Sequence, residues 1–71
     1  MSFYKSELEI LKQLWTNGPL TAKELSVILD GNLGWKRTTT YTVVKKCVDK
    51  ELIERKGTEY LCVPLISRHQ A

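Results

Sequence analysis

The sequence has few of the side chains on which catalysis or metal binding usually depends. Its 71 residues include one histidine, His69, and two cysteines, Cys47 and Cys62. These three residues can in principle converge on a metal, but they lack the spacing typical of a zinc site. No nucleophile is paired with a base, and no glycine-rich loop is present to hold a phosphate. We therefore predict that the chain is not an enzyme and holds neither a metal nor a cofactor.

Long apolar runs and a disulfide framework are also absent. No uninterrupted apolar stretch approaches the ~18 residues that a membrane span needs, and the N-terminal segment MSFYKSELE lacks the layout of a signal peptide. A single bridge between Cys47 and Cys62 is possible. We interpret both instead as reduced, small apolar side chains, which suits a reducing compartment. The expected location is therefore cytoplasmic.

The charge is unevenly distributed along this short chain. Seventy-one residues make a single domain, residues 1–71, and a chain of this length buries only about 60% of the surface that it exposes when unfolded. Residues 36–58 hold seven basic and three acidic residues, a net charge of +4, whereas the remainder holds four basic and five acidic residues, a net charge of −1. Such a clustering of positive charge in one segment is expected of a surface that faces a polyanion. The alternative is an ordinary solvated lysine face.

The segment from Lys36 to Lys50 has the pattern of an amphipathic helix. Apolar or weakly polar side chains recur at the i, i+3, i+4 spacing of a buried stripe. That stripe consists of Thr40, Val43, Val44, Cys47 and Val48. At about 100° per residue, the opposite side carries Thr38, Thr42, Lys45 and Asp49, flanked by Thr39, Tyr41 and Lys46. Hydroxyl and ammonium groups bond to phosphates and base edges, so we interpret this segment as a helix that lies in the major groove of DNA.

Two helices are predicted before this segment. Capping boxes at Ser6–Glu9 and Thr21–Glu24 open them. The first ends at Asn17-Gly18-Pro19 and the second at Asp30-Gly31-Asn32. Trp35, which precedes the third helix, is interpreted as a packing anchor, the alternative being a stacking platform for a base.

A β-hairpin is predicted after Lys50, where the period of hydrophobicity changes to that of a strand. Residues 52–56 and 59–63 form its strands around a turn at Gly57-Thr58. This order predicts a mainly α protein with a small β-hairpin, a winged helix-turn-helix of three helices and a two- or three-stranded antiparallel wing. The predicted core consists of Leu8, Leu11, Leu14, Trp15, Leu25, Ile28, Leu29, Trp35, Val43, Val44, Cys47, Val48, Ile53 and Leu61.

Six stretches together resemble the BlaI/MecI/CopY family of bacterial repressors, the penicillinase-repressor type. They are E-x-x-I-L-K-x-L-W from Glu7, G-P-L-T-A-x-E-L from Gly18, G-W at Gly34, T-x-x-T at Thr39, L-I-x-R-K-G from Leu52 and Y-x-x-x-P-L from Tyr60. They cover nearly the whole chain in the family's order. The resemblance implies a winged-helix repressor that binds a two-fold symmetric operator as a dimer, with its third helix in the major groove and its wing along the backbone.

The chain departs from the family's pattern at several positions. Lys36 and Arg37 replace a Ser-Pro pair that often caps the third helix. The helix therefore starts at these residues, or it starts later with Thr38 as its cap. Tyr41 stands where a lysine is common. Glu51 stands where a glycine commonly ends the helix, which predicts a less comfortable corner.

The family also continues into a C-terminal helical region that makes the dimer, and no such region follows Ala71 in this sequence. We interpret the chain as an isolated DNA-binding domain. The alternative is a full protein that works without that region.

Eleven residues are predicted to bind DNA. They are Lys36, Arg37, Thr38, Thr39, Tyr41, Thr42, Lys45, Lys46, Arg55, Lys56 and Thr58. The basic residues of the helix neutralise phosphates, its threonines and Tyr41 reach base edges, and the last three residues hold the wing to the backbone. The resemblance singles out Thr39 and Thr42. The alternatives are threonines tolerated on a solvated face and an ordinary soluble hairpin tip.

The expected partner is double-stranded DNA that carries a two-fold symmetric operator. No membrane is expected as a partner. A homodimer is expected of the full-length protein, whereas these 71 residues alone are compatible with a monomer. The rival function is a winged helix used for protein–protein contact. Such domains often lose the positive charge on the third helix that this chain keeps.

Overall fold

The computed structural model describes residues 4–67 and residue 69 of the chain. Three helices and a three-stranded antiparallel sheet make up this part. They follow one another in the order α1 (Lys5–Asn17), β1 (Leu20–Thr21), α2 (Ala22–Leu33), α3 (Arg37–Asp49), β2 (Ile53–Lys56) and β3 (Leu61–Pro64). This architecture confirms the predicted winged helix-turn-helix. The sheet has three strands, the larger of the two predicted numbers.

Helix α1 begins two residues earlier than its sequence indicated, and the predicted capping box of Ser6 and Glu9 is wrong. Tyr4 holds the N-cap position in extended conformation, and its N–H donates to the carboxylate of Glu7 at 3.0 Å. Glu7 is three residues after the cap, the position from which an acidic side chain reaches back to the cap N–H.

Helix α2 begins where it was predicted and ends later. The Glu24 N–H donates to the Thr21 hydroxyl at 3.1 Å, and the Thr21 N–H donates to the Glu24 carboxylate at 2.9 Å. The predicted end at Asp30–Asn32 is wrong, because the helix continues through Gly31. Gly34 ends it instead in the left-handed conformation, at φ 71°, which glycine adopts without the steric cost of a Cβ atom.

Helix α3 ends at a left-handed residue that is not glycine. Glu51 has a φ of 61°. Its N–H donates to the Val48 carbonyl at 3.0 Å, and the Leu52 N–H donates to the Cys47 carbonyl at 2.9 Å. These two bonds form a Schellman motif in which Glu51 holds the position that usually belongs to glycine. The strain predicted at this corner is therefore present.

The sheet joins the wing to the segment between the first two helices. Its strand order is β1-β3-β2, and Leu20 of β1 pairs with Cys62 of β3. The turn of the wing spans residues 57–60 and is longer than the predicted two residues. Two of its residues are left-handed, Gly57 at φ 71° and Tyr60 at φ 59°.

The core lies between the three helices and the sheet. Its buried apolar side chains are Ile10, Leu11, Leu14, Ala22, Leu25, Leu29, Val43, Val44, Cys47, Leu52, Ile53 and Cys62. The predicted core omitted Ile10, Ala22, Leu52 and Cys62. Among the residues that it included, Trp15, Trp35 and Val48 are partly buried and pack against this cluster, which supports the interpretation of Trp35 as a packing anchor. Leu8, Ile28 and Leu61 are only half-buried.

The two cysteines are free and buried, as the sequence interpretation expected. Burial raises the pKa of Cys47 to about 12, with a further contribution from the negative charge of Glu7. Burial raises the pKa of Cys62 to about 11. Because the thiolate is the reactive form of cysteine, both side chains act as apolar core residues at neutral pH.

A buried carboxylate joins the start of α1 to the end of α3. Glu7 is fully buried, and its Oε2 lies 2.9 Å from Nζ of Lys50. The Lys50 ammonium also lies 4.3 Å from the centre of the Tyr4 ring. Burial by itself raises the pKa of Glu7, but the hydrogen bond from the Tyr4 N–H and the contacts with Lys50 outweigh it and hold the pKa below its ordinary 4.5. The carboxylate is therefore ionised at neutral pH.

Replacing the strained residue at the end of α3 should stabilise the fold. Glu51→Gly removes the Cβ atom that disfavours the left-handed conformation and should raise the free energy of unfolding by about 1 kcal/mol. Glu51→Ala keeps the Cβ atom, removes the same charge and serves as the matched control. Urea denaturation of the three proteins checks the prediction. A glycine variant no more stable than the alanine variant would contradict the strain.

The Glu7 ion pair should make stability depend on pH in acid. A carboxyl whose pKa is lower in the folded state stabilises the fold above its unfolded pKa, and this contribution is lost as pH falls through the folded pKa. Glu7→Gln should therefore lower the free energy of unfolding by about 1–2 kcal/mol at pH 7, and the difference from the wild type should shrink below pH 4.5.

Glu9→Gln is the control for this experiment. Glu9 also forms an ion pair with a lysine, Lys12, but the Glu9 carboxylate is partly exposed whereas that of Glu7 is buried. Urea denaturation at a series of pH values gives the comparison. A Glu7→Gln deficit that stays constant down to pH 3 would show that the charge of Glu7 does not stabilise the fold.

Candidate nucleic-acid interface

Helix α3 has one buried side and one exposed side. The buried side carries Thr40, Val43, Val44 and Cys47. All the α3 residues predicted to bind DNA, including its N-cap residue, are exposed: Lys36, Arg37, Thr38, Thr39, Tyr41, Thr42, Lys45 and Lys46. The predicted amphipathic division of this helix is therefore present in the fold.

The start of α3 is electropositive. Lys36 occupies the N-cap position, so the later start with Thr38 as the cap does not occur. No side chain caps the first turn, and that turn contains no acidic residue. The free N–H groups of a first turn carry the positive end of the helix dipole. The charges of Lys36 and Arg37 therefore add to a field of the same sign.

A shallow depression lies between α3 and the start of α1. Its lining consists of Ser6, Thr38, Thr39, Thr42, Val43 and Lys46. Ser6 was predicted only as a helix cap, and its place beside α3 was missed. No local pattern signals that contact, because it joins two helices more than thirty residues apart in the sequence.

The threonines of α3 differ in how their hydroxyl groups are used. The Thr42 hydroxyl donates to the backbone carbonyl of Thr38 at 2.8 Å. The hydroxyls of Thr38 and Thr39 make no hydrogen bond within the part of the chain that the structure describes. Thr40 belongs to the buried side, and its hydroxyl also lacks a partner among the described residues. Two exposed hydroxyls are thus free to bond to a ligand.

The wing presents the remaining predicted residues, and Arg55, Lys56 and Thr58 are all exposed. The Arg55 guanidinium lies 4.7 Å from the centre of the Tyr60 ring. The Tyr60 carbonyl accepts a hydrogen bond from the Ala22 N–H at 3.1 Å. Tyr60 was not among the residues predicted at the site, yet its ring supports Arg55 and its carbonyl ties the turn of the wing to the first residue of α2.

Lys50 differs from the other lysines of the Lys36–Lys50 segment. The Lys50 ammonium is held by the buried Glu7 carboxylate, which removes it from the set of free cations. The Tyr41 side chain is exposed and, like those of Lys36, Arg37 and Lys45, lies outside the lining of the depression beside α1.

The dimensions and chemistry of α3 suit a nucleic acid. The helix has 13 residues, and at a rise of 1.5 Å per residue it is about 20 Å long. An α-helix fits the major groove of B-DNA, which is about 12 Å wide. Within residues 4–67 and 69, no cluster of histidine, cysteine and acidic residues is arranged to hold a metal ion. None of the helices described is long and apolar enough to span a membrane.

The fold and this surface together define a winged-helix domain with a cationic, hydroxyl-bearing third helix. The sequence profile of the penicillinase repressor family matches residues 4–71, and the chain belongs to this family. Family membership confirms the resemblance carried by the six motifs, and it agrees with the prediction that the chain is not an enzyme.

A solved structure has the same fold. The solution structure of the DNA-binding domain of the repressor BlaI matches with a TM-score of 0.87, covering 99% of this chain and 88% of that chain at 18% sequence identity. At this identity the likeness concerns the fold alone. A search of curated proteins found no match to the sequence.

Proposed function

We propose that this protein binds double-stranded DNA in a sequence-specific manner and represses transcription, with α3 in the major groove and the wing along the backbone. The exposed side of α3 carries the proposal, because it combines four cations with threonine hydroxyls and has no acid in its first turn. Phosphate contacts position a protein on DNA, and contacts to base edges specify the sequence. Membership of a repressor family, and the description of the BlaI domain as DNA-binding, support the same function.

The cations of α3 supply the affinity that does not depend on sequence. In the proposed complex Lys36 and Arg37 contact phosphates near the start of the helix, and Lys45 and Lys46 contact phosphates two turns later. Each neutralised phosphate releases condensed counterions and contributes roughly −0.9 to the slope of log K against log salt.

The hydroxyl-bearing residues of α3 supply the contacts to base edges. In the proposed complex Thr38 and Thr39 use their free hydroxyls, and Tyr41 and Thr42 contact bases further along the groove. Tyr41 stands where relatives commonly have a lysine, so the base preference of this protein differs there.

The wing holds the neighbouring backbone. The Tyr60 ring lies beneath the Arg55 guanidinium, and an arginine held in this way loses little freedom when it binds a phosphate. Lys56 and Thr58, at the exposed turn, add a charge and a hydroxyl. The wing thus fixes the orientation of α3 in the groove.

We further propose that the full protein binds a two-fold symmetric operator as a homodimer, with residues 1–71 as the DNA-binding domain of each subunit. A single domain contacts one half-site and has few specific contacts, so its specific affinity is expected to be weak when it is alone.

Lys45→Ala should weaken binding to all DNA sequences by a similar factor and reduce the magnitude of the salt slope by about 0.9. Lys12→Ala removes the same charge from α1, where Lys12 pairs with Glu9, and should leave the slope unchanged. Gel-shift titrations with competitor DNA at several salt concentrations measure both effects. An unchanged slope for Lys45→Ala would contradict its assignment to a phosphate.

The same titrations test the function as a whole. Wild-type protein should retard DNA at low salt and prefer one sequence over competitor. If no DNA is bound at low salt, the proposal is wrong, and the winged helix as a protein–protein contact module becomes the better explanation.

A further inference from the structure

One exposed side chain on α3 has already used its only hydrogen-bond donor. Thr42 lies near the middle of the helix, and its hydroxyl donates to the Thr38 carbonyl at 2.8 Å. A carbonyl has no proton to give and a hydroxyl has only one, so the direction of this bond is determined. The Thr42 oxygen can still accept a hydrogen bond, but it cannot donate one without breaking the bond within the helix.

The neighbouring threonines are different. Thr38 and Thr39 have hydroxyls without a hydrogen-bond partner in the described part of the chain, so each is free to donate or to accept. Three threonines that look alike in the sequence therefore offer two kinds of contact. Thr42 offers an acceptor oxygen and a γ-methyl group.

We propose that Thr42 is a specificity-determining residue that selects thymine through its γ-methyl group, not through a donated hydrogen bond. This inference rests on the proposed function, because it assumes that α3 lies in the major groove. There, guanine N7 and O6 and thymine O4 are acceptors, which a residue without a free donor does not satisfy. The amino groups of adenine and cytosine are donors that the Thr42 oxygen can accept, so the selection of thymine rests on the methyl group that thymine alone presents.

The surroundings of Thr42 favour an apolar contact. Val43 lines the same depression as Thr42, although most of its side chain is buried. An apolar side chain thus lines the depression with Thr42, among residues that carry hydroxyl and ammonium groups. The hydrogen bond to Thr38 also holds the Thr42 side chain in one rotamer, so little freedom is lost when its methyl meets a base.

Donation to a base would bring Thr42 no comparable gain. Its hydroxyl would have to leave the Thr38 carbonyl, which exchanges one hydrogen bond for another. A methyl–methyl contact leaves the existing bond in place and removes apolar surface from water. The second route therefore adds binding energy that the first does not.

The test replaces thymine by uracil, which lacks only the C5-methyl group. A preferred site is first selected by the wild-type chain from random double-stranded DNA. Each thymine of that site is then replaced singly by uracil. At one thymine of the half-site the affinity should fall about fourfold, the effect of one buried methyl-sized group.

Two variants of Thr42 identify the contact. Thr42→Ser keeps the hydroxyl and loses the methyl, so thymine and uracil should bind equally well at that position. Thr42→Val keeps a methyl and loses the hydroxyl, so the fourfold penalty should persist. Thr39→Val makes the same change at a neighbour with a free hydroxyl, and it should leave the penalty at the Thr42 position unaltered. Circular dichroism verifies that each variant is folded.

Specific binding without a uracil-sensitive thymine would overturn this inference while leaving the proposed function intact. So would a penalty that persists in Thr42→Ser and disappears in Thr42→Val, because the hydroxyl would then be the reading group. Wild-type protein that selects no sequence at all would overturn the proposed function, and this inference with it.

Discussion

The fold depends on one buried negative charge. The Glu7 carboxylate accepts the N–H that begins α1 and binds the Lys50 ammonium at the end of α3, so a single side chain connects the first helix to the last. An unpaired carboxylate in this position would be costly, because a buried charge needs compensation. The compensation comes from both contacts together, and it holds the rear end of α3 while the front end stays uncapped and exposed.

This arrangement divides the lysines of α3 and its flanks into two groups. Lys50 is paired with the buried Glu7 carboxylate, whereas Lys36, Lys45 and Lys46 have no ionic partner among the described residues. The basic residue count alone does not distinguish the groups, although the charge of Lys50 is balanced by Glu7 and only the other three charges are uncompensated. The positive surface is thus smaller than the count of basic residues suggests. It extends along α3, and its Lys36 and Arg37 lie at the front of the helix, where the helix dipole has the same sign.

Features carried by local periodicity were predictable from the sequence, and features that depend on distant partners were not. The two sides of α3 follow from the spacing of Thr40, Val43 and Cys47. The strain at Glu51 was predicted from the family resemblance, in which a glycine commonly ends this helix. The start of α1 was misjudged because Tyr4–Glu7 and Ser6–Glu9 have the same spacing, and the ion pair that compensates the buried Glu7 involves Lys50, 43 residues away. The end of α2 was misjudged because Gly31 and Gly34 both look like helix ends, and only the hydrogen bonds of Gly34 with α2 decide between them.

The bond between the Tyr60 carbonyl and the Ala22 N–H bears on how the wing moves. Together with the pairing of β1 and β3, it fastens the wing to the frame formed by α2, on which α3 also packs. The separation between wing and third helix is therefore a property of the free protein, established before any ligand arrives. A preorganised pair of surfaces loses less conformational entropy on binding than two independently mobile ones. Much of the conformational entropy that binding would otherwise remove has thus already been lost during folding.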